Sequence, residues 1–469
     1  MIKNYLLFFT AYSLLLLLVS IGFSRRMKNL EDFFLASRKL PFFLVYLSLT
    51  ASWIGASSTI ISVDEAFSHG VSSFWIMGLP AVLTVAVFAF FLSAPIRRLP
   101  IITLPDLVEI RYGRIVRHMA AVLIVWYMTV LAASQMTALG SFLMPLIGKS
   151  YFTCILLGTC VVLIYSVLGG FFSVALTDGI QFLFLSIGFI CLFVFLTGKA
   201  SFGELITFAS QEGRPDYFNF FFEVKRNLWI LISFTLAWII SPIAWQRIQA
   251  ARSDHAAKKG LMAAGGTFLV FYGIVLMAGM LAWAVYKDLM PGQNTLSMMI
   301  SSKTDLMLGG IIFTAIAAAI MSTLDTAINT GAMSLTRDIY QRIFFPEGIK
   351  RVVLASRSMT LLIAGIALLI ASQIRSILLS LGLASEIMAV GFFIPGIAMI
   401  FMRKKAPWAG FLSLALGILF SLTGFLSQMG VISKILPEWP YSVLYGLLLS
   451  FSGFMIGLMI DRTIRRKKK

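Results

Sequence analysis

Long apolar runs recur along the whole chain, with short polar joints between them. A bilayer-spanning helix needs about 20 mostly apolar residues, and about thirteen runs approach or exceed this length. Composition agrees, since 59% of the 469 residues are hydrophobic and only 12% are charged. The sequence therefore predicts an all-α integral membrane protein. The runs lie near residues 2–24, 41–67, 72–96, 118–146, 151–168, 173–198, 228–246, 261–286, 306–336, 352–372, 376–402, 408–428 and 440–460.

Basic residues predict the orientation, because Lys and Arg accumulate on the cytoplasmic side of membrane proteins. With the N-terminus outside, most of the 38 Lys and Arg residues fall on the inner side, including the C-terminal run 465–469. We therefore expect a multi-pass protein of the cytoplasmic membrane with its C-terminus inside. The net charge of +18 then reflects topology and contact with the lipid bilayer, and no nucleic-acid partner is expected.

Motifs for soluble chemistry are missing from the sequence. It contains no GxxxxGK[ST] phosphate loop and no GxSxG nucleophile elbow, and the longest connection, near 199–226, is too short for a catalytic domain. These features argue against an enzyme and against an ATP-driven pump. A channel would show a repeated filter sequence, and none is present. A transporter is favoured, and a solute sensor on the same scaffold is the alternative.

One polar stripe interrupts the apolar runs, in the segment AAAIMSTLDTAIN at 317–329. Ser322, Asp325, Thr326 and Asn329 share one face of a helix. A carboxylate in the membrane costs at least ~2.5 to 3.5 kcal/mol on insertion scales, so it normally faces a partner, a cavity or an ion path. The structural alternative is that Asp325 pairs with a basic residue or bonds to neighbouring helices.

Two other segments place oxygen atoms at about the same depth in the membrane as the polar stripe around Asp325. The sequence TDGIQ at 177–181 places Asp178 near the inner end of its span. Small and hydroxylated residues surround Gly55 in the stretch 48–62, where unwinding would release backbone carbonyls, although close helix packing is an alternative. Oxygen ligands without His or Cys suit an alkali cation, so we expect Na⁺. A proton at Asp178 or Asp325 remains possible on chemistry alone.

Four motifs resemble those of the sodium:solute symporter family, in the family's order: LTASWIGASST at 49–59, TDGIQ at 177–181, WQRIQAARS at 245–253, and AAAIMSTLDTAIN followed by LTRDIY at 335–340. The resemblance implies a LeuT-type core of five helices and five more in inverted topology, with one N-terminal and two C-terminal peripheral helices. The expected regions are a peripheral helix and inner loop at 1–40, repeats at 41–198 and 228–402, an outer loop at 199–227, and two peripheral helices with a basic tail at 403–469.

The resemblance also implies site residues. The family's common sodium site matches the carbonyls of Ala51, Ile54 and Ala319 and the hydroxyls of Ser322 and Thr323. A second sodium site of some members matches Asp178, Ser322, Asp325 and Thr326, although Asp325 replaces a serine found in some of them. Gln246 and Arg247 are expected to mark the inner end of the seventh span.

The solute position is implied in the same way. It matches Trp53, Ser58, Phe74, Met77, Gln135, Phe234, Trp238 and Glu386. Ser58, Met77 and Phe234 stand where the sugar-carrying branch has polar side chains, so an amino acid or a small carboxylate is favoured. The expected function is sodium-coupled import of a small organic solute, with proton coupling as the alternative. Nothing in the sequence indicates the oligomeric state.

Overall fold

The structure is a computed structural model that describes residues 5–23, 38–99, 101–286, 295–345, 352–402 and 404–467. These residues form helices, and an isolated bridge between Leu40 and Ala251 is the sole strand-type pairing among them. Apolar runs fold as helices in a membrane because each backbone N–H and C=O group then bonds within its own segment. The all-α prediction is confirmed.

Helices fill the first part of the chain up to the long connection. Their bounds are α1 Tyr5–Phe23, α2 Phe42–Trp53, α3 Ser62–His69, α4 Gly78–Val87, α5 Ser93–Arg97, α6 Leu104–Tyr112, α7 Arg114–Ile147 and α8 Tyr151–Thr197. Two π-helical turns, Ser57–Ile61 and Phe88–Leu92, lead into α3 and α5, and a 3₁₀ turn, Gly70–Trp75, follows α3.

The second part begins with a short helix in the predicted outer loop. Its helices are α9 Phe202–Gln211, α10 Val224–Ile239, α11 Pro242–Ala250, α12 Asp254–Val285, α13 Thr295–Lys303, α14 Leu306–Ser334, α15 Arg342–Phe344, α16 Val352–Gln373, α17 Ile377–Gly391, α18 Phe393–Phe401, α19 Pro407–Gln428 and α20 Ser442–Lys467. A 3₁₀ turn, Pro215–Phe218, follows α9, and a π-helical turn, Leu335–Gln341, continues α14.

By length and composition, eight of the described helices can cross a membrane, or ten when two bent helix pairs each count as one span. Three shorter apolar helices, Tyr5–Ser20, Phe42–Trp53 and Tyr151–Val167, lie at other predicted spans. The helices therefore coincide with the predicted apolar runs, although the number of complete crossings is approximate. The long helix α8 contains two of these runs.

The 47-residue helix α8 covers the predicted spans 151–168 and 173–198. Near its start, the Tyr165 hydroxyl donates to the Met321 carbonyl, and further along a Cβ at Gly188 would overlap Ala315. A straight helix would separate Tyr165 and Gly188 by about 35 Å, whereas Met321 and Ala315 are only about 9 Å apart along α14. The chain therefore changes direction within α8, which agrees with two spans and not with one.

Breaks divide three of the spanning segments. The first follows α2 at Ile54, where the backbone leaves the helical region (φ −91°, ψ 82°). The second separates α10 from α11 at Ile240 and Ser241, with a bend of 40°, and the third separates α17 from α18 with a bend of 46°. The first two breaks fall in the leading helix of each expected five-helix repeat, which is where discontinuous helices form midplane sites in transporters.

An ion-pair network lies at one end of the bundle. Arg117, at the start of α7, is buried and contacts Asp338 (3.0 Å) and Asp106 (3.6 Å), and Arg337 contacts Asp106 (2.7 Å). Burial acts to raise the pKa of Asp106, but Arg337 and the N–H groups of residues 102 and 103 outweigh it and hold the pKa below its usual value. The network joins α6, α7 and the turn after α14.

Candidate ion and solute sites

The break after α2 opens the backbone beside α14. The helix ends at Trp53, and Ile54 and Gly55 are not helical. A Cβ on Gly55 would lie 2.5 Å from Thr323 Oγ1 and 2.9 Å from Gln135 Oε1. Only glycine allows this close approach, so the unwinding predicted around Gly55 is present and also brings two helices together.

Two hydroxyl groups of α14 face carbonyls at this break. Ser322 Oγ donates to the carbonyls of Ala51 (3.0 Å) and Ala319 (2.9 Å). Thr323 Oγ1 donates to the carbonyls of Ser52 (3.2 Å) and Ala319 (3.3 Å). Four of the five residues expected at the common sodium site therefore lie together, and all are buried. The fifth is the non-helical residue 54 at the break itself.

A buried ion pair lies beside Thr326, about one helical turn further along α14 than Ser322 and Thr323. The guanidinium of Arg247 is fully buried and contacts Asp178 Oδ2 (3.4 Å), Ser48 Oγ (3.1 Å) and Thr326 Oγ1 (3.2 Å), and it also donates to Ser52 Oγ. Arg247 lies in the last turn of α11, and its side chain turns into the bundle, where it pairs with Asp178.

Asp325 lies beside this pair without a bonded partner. Its side chain is 0% exposed, and neither carboxylate oxygen has a hydrogen-bond partner among the described residues. Of the residues expected at the second sodium site, Asp178 and Thr326 share Arg247, whereas Ser322 is turned to the carbonyls of the first site. If both carboxylates are ionised, one buried cation faces two buried anions.

A cavity of about 40 Å³, called the central cavity, borders Gly55 and Thr323. Three of the expected solute-contacting residues line it: Trp53, Gln135 and Trp238. The Trp53 ring stacks on Phe268 with centroids 5.9 Å apart and lies 5.7 Å from the Trp238 ring. The other lining residues are Ser52, Gly55, Ser57, Ala81, Tyr127, Leu131, Ser241, Ile243, Tyr272, Thr323 and Leu381.

Four other expected solute residues do not line this cavity. Ser58 hydrogen-bonds to the Tyr272 hydroxyl (2.7 Å), and Phe234 stacks on Trp238 with centroids 5.4 Å apart. Met77 is buried, and Phe74 packs against the backbone of residue 78. None of these four side chains lines the cavity, and Ser58 and Phe234 contact residues that do.

Glu386 lies elsewhere. It lines a separate cavity between α17 and the connection from α19 to α20, where Ser442 and Trp439 are neighbours. The structure therefore does not bring Glu386 to the central cavity. Trp439, which lines the same separate cavity as Glu386, packs on Phe234 with ring centroids 5.6 Å apart.

Sequence reasoning missed some residues of the cavity. Tyr127 and Tyr272 are single aromatic hydroxyls inside apolar runs, and such residues are usually packing residues. Ser241 carried a usable signal, because Ser241 precedes Pro242 in the middle of an apolar run, and a proline there favours a new helix start. A break in that span could have been predicted from these two residues.

Comparison with known proteins agrees with the fold and with the family resemblance. The profile of the sodium:solute symporter family matches residues 33–416. The chain is 27% identical to a sodium/glucose cotransporter of Vibrio parahaemolyticus, over 89% of this chain and 83% of that protein. It is 26% identical to a sodium/proline symporter of Salmonella typhimurium, over 76% and 75% of the two chains. A solved Na⁺-coupled sialic acid symporter, in a substrate-bound outward-open state, superposes with a TM-score of 0.79 at 19% identity, covering 98% of both chains.

The fold and the broken helices define a multi-pass membrane transporter of the LeuT type. More particularly, the chain belongs to the sodium:solute symporter family. It is a sodium-coupled symporter for a small organic solute, and it binds Na⁺ and that solute within the membrane. The resemblance drawn from the four motifs is confirmed.

Proposed function

We propose that Na⁺ binds between α2 and α14, at the carbonyls of Ala51, Ile54 and Ala319 and the hydroxyls of Ser322 and Thr323. The observation that carries the proposal is the pair of α14 hydroxyls lying 2.9 to 3.3 Å from carbonyls on both helices. A hard monovalent cation suits such neutral oxygen ligands. The free end of a broken helix adds carbonyl dipoles that point toward the ion.

Sodium at this position would connect the broken helix α2 to the continuous helix α14. With Na⁺ bound from outside, the two helices stay together and the central cavity is held in a solute-binding shape. Release of Na⁺ into a low-sodium cytoplasm frees both helices and the solute, by alternating access around the midplane. By linkage, the solute must raise sodium affinity by the factor by which sodium raises solute affinity.

The cavity favours a compact amino acid or small carboxylate with an apolar body. Aromatic side chains form much of its wall, and none of the described residues that line it is charged. Ser241 stands at the N-terminus of α11, whose positive dipole end opens on the cavity and suits a carboxylate. The similarity to a proline symporter supports this class, whereas a sugar would need more polar partners than Gln135 and a few hydroxyls.

We also propose the cytoplasmic membrane as the location, with the N-terminus outside and the C-terminus inside. The support is the accumulation of Lys and Arg on the connections that this orientation places inside. In this role the chain transports its solute unchanged and catalyses no covalent reaction.

A thermal-shift screen tests the solute class. The purified protein is heated with amino acids, carboxylates, sugars or polyols, each with Na⁺ and with choline in place of Na⁺. A ligand at 100 times its dissociation constant stabilises the folded state by about 2.7 kcal/mol. We expect stabilisation by one amino acid or carboxylate only when Na⁺ is present. Stabilisation by sugars alone would contradict the proposed class.

A double substitution tests the sodium site. Ser322→Ala with Thr323→Ala removes two of five ligands, so we expect loss of sodium-driven uptake in a protein that still inserts. Thr314→Ala is the matched control, because the buried Thr314 hydroxyl bonds only its own helix, to the carbonyl of residue 310 (2.7 Å). Uptake with unchanged sodium dependence in the double variant would rule out this site.

A further inference from the structure

A surface groove of about 560 Å³ lies where α6, α7 and α19 meet. Residues 112–116, at the turn from α6 to α7, form one wall, and Pro407, Trp408 and Phe411 of α19 form the other. Arg114 is the single charged residue among the described residues of the lining. None of the lining residues belongs to the proposed sodium site or to the central cavity, so the groove has a separate role.

The apolar side chains of the groove are exposed on a firmly packed wall. Ile115 is 70% exposed and Trp408 is 44% exposed. The Trp408 ring packs edge-on against Phe411, with centroids 6.0 Å apart. Beneath them α6 and α19 are in close contact, because a Cβ on Gly410 would lie 2.4 Å from the Tyr112 ring. The groove is therefore part of the helix packing and not a gap in a loop.

The ends of membrane-crossing helices surround the groove. Helix α7 begins at Arg114 and α19 begins at Pro407, and both are long and apolar enough to cross a membrane. Helix α20, a third such helix, approaches its end beside them, since Asp461 accepts the backbone N–H groups of Trp408 (3.3 Å) and Ala409 (3.0 Å). Tryptophan at the end of a span is typical of the boundary between membrane and water. The groove therefore lies at the depth of lipid headgroups and upper acyl chains.

Basic side chains surround the rim of the groove. Arg114 lines it, and Lys404 and Lys405 lie just before the start of α19. The Ala406 N–H group donates to the Arg111 carbonyl (2.9 Å), which holds this lysine segment beside the end of α6. All three basic side chains are exposed, and none of them has an ion-pair partner among the residues that the structure describes.

Acidic side chains near the groove are engaged elsewhere. Asp461 is buried and bonds the N–H groups at the start of α19, and Glu109 contacts Arg117 (3.2 Å). No acidic residue lies in the described lining. A matching ligand therefore has a negatively charged head for the rim and an apolar chain for the walls.

We propose that this groove binds an anionic phospholipid, with its phosphate at Arg114, Lys404 and Lys405 and an acyl chain along Ile115 and Trp408. Basic pockets between spanning helices bind the headgroups of anionic lipids in this way. A free phosphate would leave the apolar walls in water, and a neutral lipid would leave the positive charge of the rim without a partner. The proposal goes beyond sodium-coupled transport, and with the C-terminus inside it places the lipid in the inner leaflet.

The experiment titrates lipid onto the purified full-length protein in detergent and follows the first bound lipid by native mass spectrometry. Dioleoylphosphatidylglycerol and dioleoylphosphatidylcholine have the same chains, and we expect tighter binding of phosphatidylglycerol. Lys404→Gln with Lys405→Gln should lower that affinity by about tenfold or more, since each basic residue near an anionic headgroup contributes roughly fivefold. The matched control is Lys258→Gln with Lys259→Gln, because this second exposed lysine pair lies 4.6 to 5.8 Å from aromatic rings that do not line the groove.

A second variant tests the apolar wall. Ile115→Glu places a negative charge in the groove at an exposed position, so the protein should fold normally and lose its preference for phosphatidylglycerol. Ile435→Glu is the control, since Ile435 is 72% exposed and lies in the connection from α19 to α20. We expect an unchanged preference in this control.

Four results would overturn the proposal. Equal affinities for the two lipids would show that the rim charges bind no headgroup. A preference for phosphatidylglycerol that both the lysine pair variant and Ile115→Glu retain would place the lipid elsewhere. Glycerol 1-phosphate binding as tightly as the lipid would show that the apolar walls contribute nothing. A dimer in detergent that Ile115→Glu converts to a monomer would make the groove an interface between two copies of the chain.

Discussion

Two conservative substitutions in the buried cluster should differ strongly in their effect on stability. Asp178→Asn removes the carboxylate that faces Arg247, whereas Asp325→Asn removes a carboxylate that has no bonded partner. Both changes keep side-chain volume nearly constant, and both positions are 0% exposed. Packing is therefore matched, and any difference between the variants reports on charge.

The expected magnitudes follow from the pairing. Removing one partner of a buried ion pair leaves the other charge uncompensated, at a cost of about 3 to 5 kcal/mol. Asp178→Asn removes the carboxylate that contacts Arg247, while Asp325 stays nearby without contacting the guanidinium, so the ion pair is broken in this variant. Asp325→Asn instead removes the excess negative charge and leaves an amide to satisfy. We expect its cost to be below about 1 kcal/mol, or a gain in stability.

The assay is thermal or denaturant unfolding of each purified variant in detergent, in choline buffer without Na⁺. The absence of sodium matters because Asp325 is among the residues expected at a second sodium site, and Na⁺ bound there would stabilise the unchanged protein more than Asp325→Asn. The double variant Asp178→Asn with Arg247→Gln is the control for the ion pair. Since both charges are then gone, it should recover most of the stability lost in Asp178→Asn.

One result would refute this reasoning. If Asp325→Asn without sodium is destabilised as much as Asp178→Asn, Asp325 has a structural partner and the charge excess is not real. A double variant no more stable than Asp178→Asn would show that the loss comes from packing and not from an unpaired arginine.

Three further outcomes can be checked directly. Gly55→Ala should abolish sodium-driven uptake, because its Cβ would meet Thr323 Oγ1 and Gln135 Oε1, and normal uptake would contradict the close approach. Glu386→Gln should leave solute affinity within about twofold, since it does not line the central cavity, and a larger loss in binding would place it in the solute path. Asp106→Asn should lower the melting temperature at pH 7. Since the folded-state pKa of Asp106 is lowered, the difference from the unchanged protein should persist above about pH 4 and shrink as pH falls further, and a constant difference down to pH 3 would contradict the ion pair.

Much of the fold was predictable from the sequence because the membrane leaves few choices. A run of about 20 apolar residues must satisfy its own backbone hydrogen bonds, so the runs became helices at the expected places. Local patterns around Gly55 and along the polar stripe indicated that oxygen atoms of two spans could meet, and the structure brings Ser322 and Thr323 to the carbonyls of α2. The particular five sodium ligands came from the family resemblance and stay a prediction.

The rest depended on side-chain directions that no local pattern contains. Arg247 would be assigned to the membrane surface by charge rules, but Asp178 from another helix draws it inside. Glu386 faces α19 and α20 because of how α17 is rotated in the bundle, which sequence spacing cannot specify.

The glycine at the helix break also lies between the proposed ion site and the proposed solute cavity. Thr323, a proposed sodium ligand, and Gln135, which lines the solute cavity, both approach the position of a Cβ at Gly55 within 3 Å. In the proposed arrangement the ion and the solute therefore lie on residues that meet at Gly55, and Thr323 itself also lines the cavity. The energetic coupling between them therefore needs no relay through distant residues, because each can alter the same few atoms of main chain directly. In such an arrangement thermodynamic coupling is a local property of one residue position.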